Sequence, residues 1–167
     1  MESLVKFFES SLRDHFNAKS QYLSLFCQLG IPQEGWFCGE ILYVLSSMSD
    51  ITVLKTNQQV HNTAGKPDFY IADNDQRLLL ELKVLPKNRN YPYGWQHFLA
   101  GPNNKKDFEM LRDKKRHGVI YVYWPDIDDW NRLKNKLRTK YGVTCTREFM
   151  IQMKHGFVIF SLWLPTT

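Results

Sequence analysis

The apolar positions of this chain change their period several times, and each change predicts an element. Over residues 3–16, Leu4, Val5, Phe8, Leu12 and Phe16 fall at helical intervals. Ser20 is placed to cap a second helix carrying Leu23, Phe26 and Cys27, which Gly30 and Pro32 end. Residues 35–48 are apolar almost all round, as a buried helix should be, with Glu40 the only charge. A lone carboxylate among Trp36, Phe37, Ile41, Tyr43 and Val44 either reaches the surface or serves a site, because burying it unpaired is costly. Residues 51–56 read as a first strand, which 58–61 can extend past a turn.

Residues 66–85, KPDFYIADNDQRLLLELKVL, hold two apolar runs, 69–72 and 78–84, separated by Asp73-Asn74-Asp75-Gln76. Asn and Asp tolerate tight-turn geometry, so this is a β-hairpin signal. A turn centred on Asn74 and Asp75 pairs Asp73 with Gln76 and, stepping along the ladder, Asp68 with Glu81. Strand side chains alternate faces. Asp68, Tyr70, Leu79, Glu81 and Lys83 therefore share one face, and Phe69, Ile71, Leu78, Leu80, Leu82 and Val84 the other. Neither face is plainly polar, so burial is expected on both. Opposed like charges are destabilising, so something positive should lie between Asp68 and Glu81. Lys83 is one candidate, and a divalent cation held by carboxylate oxygens is the other.

Residues 86–106 form a long connection in which Lys87, Arg89, Lys105 and Lys106 accompany Tyr91, Tyr93 and Trp95. Cations beside flat rings suit phosphate contacts and base stacking, and equally suit a solvated loop pinned by its aromatics. With Lys66 just ahead of the hairpin, Lys87, Arg89, Trp95, Lys105 and Lys106 are the candidate DNA contacts. Residues 107–117 predict a helix facing Phe108 and Leu111 inward, and 119–123 a short buried strand. From Asp126 a further helix carries the apolar stripe Trp130, Leu133, Leu137 and Tyr141. Its Arg132, Lys134, Lys136, Arg138 and Lys140 are either a solvated face or a surface turned to a duplex. Residues 143–152 and 157–164 alternate as a terminal hairpin that can join the sheet or build a dimer contact.

Composition narrows these readings. At 167 residues, 43% hydrophobic and 14% aromatic, the chain suits one folded domain and excludes disorder. No apolar run is long enough to span a membrane. The start MESLVKFFESSL is not the pattern of a secretory signal, which points to a cytoplasmic or nucleoid-associated protein, not a secreted one. Cys27, Cys38 and Cys145 are too far apart for a zinc spacing and suit reduced thiols. A net charge of +5 permits a polyanionic partner without proving one.

Pro67-Asp68 opening a strand, a turn, then Glu81-Leu82-Lys83 within an apolar strand resembles the PD-(D/E)XK nuclease superfamily. Gly65-Lys66-Pro67-Asp68 is similar to its glycine-x-PD variant. The resemblance implies an α/β (α+β) fold with a restriction-endonuclease-like α-β-β-β-α-β core and a mixed central sheet flanked by helices. One nuclease domain would span 1–167: N-terminal helices in 1–33, the catalytic core in 35–124, and a helix plus C-terminal β-hairpin in 126–167. The family's chemistry implies Mg²⁺, replaceable by Mn²⁺, on Asp68, Glu81 and the Leu82 carbonyl, with Glu40 joining from the buried helix. Lys83 would position the attacking water, with Gln96 a possible auxiliary. The implied activity is Mg²⁺-dependent endonuclease cleavage of duplex DNA, site-specific as in restriction or homing enzymes, by a dimer or tetramer. Alternatives are a Holliday junction resolvase or structure-specific repair nuclease, and, without catalysis, a nucleic-acid-binding module keeping the fold.

Overall fold

A computed structural model describes residues 1–29, 34–56, 67–74, 76–85, 109, 111, 117–123, 127–154 and 156–165. The first helical stretch is α1 (Glu2–Lys6), a π-helical segment (Phe7–Leu12) and α2 (Arg13–Ala18), followed by α3 (Ser20–Leu29) and α4 (Glu34–Ser46). Leu4, Phe8, Leu12 and Phe16 are buried as their spacing predicts, whereas Val5 is only partly buried and Phe7, outside the predicted stripe, is fully buried. The strands are β1 (Ile51–Thr56), β2 (Phe69–Asp73), β3 (Gln76–Leu85) and β4 (His117–Tyr123). Helix α5 (Ile127–Tyr141) precedes a terminal hairpin of β5 (Arg147–Met153) and β6 (Gly156–Trp163).

These strands form one six-stranded mixed sheet in the order β1-β2-β3-β4-β6-β5. The first three make an antiparallel meander, β4 lies parallel to β3, and the terminal hairpin returns antiparallel with β6 against β4. The hairpin thus extends the sheet, a choice its sequence left open. Asn74 turns β2 into β3 with a φ of 53°, a left-handed geometry that asparagine tolerates. Phe69 pairs with Leu80 and Asp73 with Gln76, the register its turn predicts.

Side-chain alternation sorts the sheet into two buried faces. Leu78, Leu80, Leu82, Val84, Ile120, Val122, Phe160 and Leu162 face the helices α1 to α4. Val119, Tyr121, Ile159 and Trp163 face the other way, onto the α5 stripe of Trp130, Leu133, Leu137 and Tyr141. Helices therefore flank the sheet on both sides. Gly118 brings β4 close to its neighbours: a Cβ there would lie 3.1 Å from methyls of Leu80 and Leu164 and 3.3 Å from one of Leu78. Asp73, almost fully buried, is satisfied at the start of the chain by the Leu4 N–H (3.3 Å) and the Met1 amino group (2.8 Å).

Two boundaries differ from the sequence reading. His117 opens β4, paired with Leu79, instead of closing the preceding helix; of that helix only Glu109 and Leu111 fall among the described residues. Strand β5 begins at Arg147, not 143. Val143 is drawn into the α5 cluster, and Thr146 ties the crossing segment to β6 through its N–H to the Leu162 carbonyl (2.8 Å) and its hydroxyl accepting the Leu164 N–H (3.0 Å). Local β propensity at 143–146 yields to tertiary contacts. No helix among the described residues is long and apolar enough to cross a membrane.

Candidate functional site

Strand β2 starts at Phe69, while its partner β3 runs on to Leu85. Alternate N–H groups of β3 point toward β2, so Leu82 and Val84 continue the row that Leu80 belongs to. Side-chain carboxylates take both donors. The Leu82 N–H donates to Asp68 Oδ2 at 2.7 Å, and the Val84 N–H donates to Glu34, the first residue of α4. Asp68 is thereby fixed at the end of β2, beside Glu81.

Glu81 and Lys83 are mostly buried, 14% and 22% exposed, with Lys83 Nζ 3.5 Å from Glu81 Oε2. In the parallel pair Glu81 lies beside Val119 and Lys83 beside Tyr121, whose side chains pack toward α5. The face assignment from alternation holds: Leu78, Leu80, Leu82 and Val84 are buried, whereas Leu79, Glu81 and Lys83 are half-buried.

Electrostatics draw two α4 residues into this cluster. Glu34 is exposed as a residue, yet burial of its carboxyl raises its pKa; Lys83 opposes the rise, Asp68 adds to it and the Val84 N–H opposes it. The Cys38 thiol is pushed up to about 12, first by burial, then by the negative fields of Asp68, Glu34 and Glu81 against the pull of Lys83. Glu34, Cys38, Asp68, Glu81 and Lys83 thus share one neighbourhood. The sequence reading missed Glu34 because it stands one residue ahead of the apolar run; an acid in a helix's first turn, spaced four residues from Cys38, was the available signal.

Glu40, expected at the metal site, lies elsewhere. Successive helical residues turn by about 100°, so Glu34 and Cys38 are about 40° apart whereas Glu40 points about 120° away from Glu34. Its partners are His15 Nε2 and Lys19 Nζ, the latter 3.0 Å from Oε1 and 2.9 Å from Oε2. Burial pushes the Glu40 carboxyl up, but the hydrogen bonds from Lys19 and His15 outweigh it and hold the pKa low. It closes the joint between α2, α3 and α4.

The other candidates, Lys66, Lys87, Arg89, Trp95, Gln96, Lys105 and Lys106, lie outside the described residues. Among the described residues no three His, Cys, Asp or Glu side chains converge closely enough to hold a metal ion by themselves. Asp68 and Glu81 nonetheless offer hard oxygen donors of the kind Mg²⁺ takes, and Mg²⁺ keeps several waters when only one or two carboxylates bind it. The Leu82 carbonyl leaves β3 on the same edge as its N–H, toward Asp68. That donor set fits a hydrated hard cation.

No family model matches the chain, and no solved structure matches it. Among curated proteins it is similar to a diphosphomevalonate decarboxylase from Debaryomyces hansenii, at 27% identity over 93 residues. That similarity covers 54% of this chain and 24% of the enzyme, so the chain matches about a quarter of its relative's length.

Proposed function

We propose that this chain is a Mg²⁺-dependent endonuclease acting on duplex DNA, with the restriction-endonuclease-like fold its motif resembles. The observation that carries the reading is the 2.7 Å bond from the Leu82 N–H to Asp68, which locks one carboxylate beside Glu81 with the Lys83 ammonium next to it. The antiparallel meander followed by a parallel β4 supports the fold assignment. The decarboxylase similarity spans too little of that enzyme to transfer its reaction.

Asp68, Glu81 and the Leu82 carbonyl would hold the ion, with Glu34 in place of Glu40 as a supporting acid outside the ligand set. Bound there, the metal supplies Lewis acidity toward the scissile phosphate and a water of lowered pKa. The chain's own groups set the geometry. With Oδ2 committed to Leu82, Asp68 is left with Oδ1 to offer a cation. Lys83, two residues from Glu81 on the same face, presents an ammonium that orients a nucleophilic water and stabilises negative charge growing on the phosphoryl oxygens. Burial and Asp68 raise the Glu34 pKa, and a cation held beside it would favour its ionised form. Cutting both strands of a duplex asks for two copies arranged about a two-fold axis.

Supercoiled plasmid and a four-way junction, each incubated with the protein in Mg²⁺ and in chelator, test this directly. Metal-dependent nicking or linearisation is expected, falling by about 10²-fold or more in Lys83→Ala if the ammonium handles the proton and charge as described. Cutting of junctions alone would redirect the substrate to branched DNA. A folded wild-type protein that cuts neither substrate in Mg²⁺ or Mn²⁺ rules the proposal out.

A further inference from the structure

The two outer strands of the sheet, β1 and β5, are built differently. An outer strand presents a row of unpaired N–H and C=O groups that can template a further strand, and proteins blunt such edges with lysine, proline or a bulge. β1 carries Lys55 and breaks its register with β2 between Val53 and Lys55. β5 has neither device. From Arg147 to Met153 it holds no lysine and no proline, and its register with β6 runs unbroken over all seven residues. Its one cation, Arg147, is bound to Glu9 (2.7 Å). No strand among the described residues pairs with its outer side.

Exposed apolar groups flank that edge on both faces of the sheet. Met150, 55% exposed, shares a face with Glu148, which accepts a hydrogen bond from Trp130 of α5. On the other face Phe149, Ile151 and Met153 join the core beneath the N-terminal helices. There Ser24, Leu25 and Gln28 of α3 line an open groove with Gln152, Met153 and Lys154 at the end of the hairpin. Leu25 belongs to an exposed apolar row on α3, with Tyr22 three residues before it and Leu29 four after.

The pattern of β5 is complementary to itself, as a two-fold contact requires. Antiparallel pairing of two β5 strands about Met150 sets Met150 against Met150, Phe149 against Ile151, Glu148 against Gln152 and Arg147 against Met153. Each of these pairs shares a face, as opposed residues must. No like charges meet, and Lys154 of one copy falls diagonal to Glu148 of the other, within reach of a long side chain. A seven-residue edge is about 24 Å long. A stable interface buries about 800 Å² on each partner, more than one strand edge offers, so the α3 row has to take part.

We infer that two copies of this chain join through the outer edge of β5, antiparallel about Met150, with Tyr22, Leu25 and Leu29 completing the contact. Sedimentation equilibrium across a concentration series tests it, without DNA. Wild type should approach twice the 19.8 kDa chain mass. Met150→Lys replaces two buried methionines by facing ammonium groups and should raise the dissociation constant by about a hundredfold or more. Leu25→Lys should raise it by about tenfold or more. Leu54→Lys, at an exposed site on β1, should behave as wild type. A short bis-maleimide should join Met150→Cys to its copy far faster than it joins Thr139→Cys, placed on the exposed side of α5. Melting curves establish that each variant is folded; were Met150→Lys not to fold, Leu25→Lys and the cross-link would decide.

The contact is overturned if wild type is monomeric up to its solubility limit, if the dimer survives either lysine substitution in a folded protein, if Leu54→Lys breaks it equally, or if Met150→Cys cross-links no faster than Thr139→Cys. A dimer with the expected properties that cuts no DNA would end the nuclease reading and leave this contact standing.

Discussion

Replacing Glu34 and Glu40 separately by glutamine should give opposite results, although both acids sit on α4. Glu40 is 17% exposed and accepts hydrogen bonds from two basic side chains, His15 and Lys19. Hydrogen bonds to charged groups contribute about 1.5–3 kcal/mol, and the Gln amide keeps one acceptor oxygen, so Glu40→Gln should lose about 2 kcal/mol. For a chain of this size that lowers Tm by about 4–8 °C near neutral pH. The Glu40 pKa is held below its usual 4.5, so its stabilisation is present above that value and is lost as pH falls through the folded value. The gap between Glu40→Gln and wild type should close in acid.

Glu34 carries the other sign. Its pKa is raised above 4.5, so the folded state gains stability as pH falls through the folded value, and ionised Glu34 costs stability above it. Glu34→Gln should match or exceed the wild-type Tm at neutral pH, with any advantage vanishing in acid. Removing an acid that supports a metal site typically costs about 10–100-fold in metal affinity, so Glu34→Gln should need that much more Mg²⁺ for half-maximal plasmid cleavage. Melts across pH and Mg²⁺ titrations of cleavage measure both. A Glu40→Gln protein with the wild-type Tm and a raised Mg²⁺ requirement, beside a Glu34→Gln protein unchanged in Mg²⁺, would refute the assignment.

Three further outcomes follow from the same geometry. Asp68→Asn keeps an oxygen for the Leu82 N–H, so its Tm should stay near wild type while cleavage falls by about a hundredfold or more through loss of a metal-binding oxygen; an equal loss of stability would make Asp68 structural. Gly118→Ala pushes a methyl against Leu80, Leu164 and Leu78 and should cost about 1–3 kcal/mol in urea unfolding, a prediction refuted by an unchanged midpoint. Cys38, with its pKa pushed up to about 12 from 9.0, should have a thiolate population roughly a thousandfold below that of a free cysteine at pH 8, so iodoacetamide should modify it slowly. Asp68→Asn should speed that labelling; labelling of wild-type Cys38 at the rate of a small thiol would contradict the burial.

The hairpin was legible because two short-range rules agree there. Asn74 fixes the turn, and period-two alternation fixes the faces, so Asp68, Glu81 and Lys83 could be placed together from the sequence. That Glu34 and not Glu40 lies in the field of Asp68 and Lys83 was not legible locally. It depends on which side of α4 turns to the end of β3, and that is set by Phe37, Ile41, Val44 and Leu45 packing into a core supplied by distant strands. The place of the terminal hairpin was hidden for a related reason. Val158, Phe160 and Leu162 on one face and Ile159 and Trp163 on the other make β6 apolar on both sides, which shows that it is interior without naming its neighbour. Only the assembled sheet sets β6 against β4 and leaves β5 outermost.

Anomalous diffraction from crystals soaked in Mn²⁺ would test the metal site most directly. A peak is expected at the carboxylates of Asp68 and Glu81, within ligand reach of the Leu82 carbonyl and nearer to Glu34 than to Glu40. A peak at Glu40, or crystals that bind Mn²⁺ only elsewhere while Asp68 stays bonded to the Leu82 N–H, would contradict it.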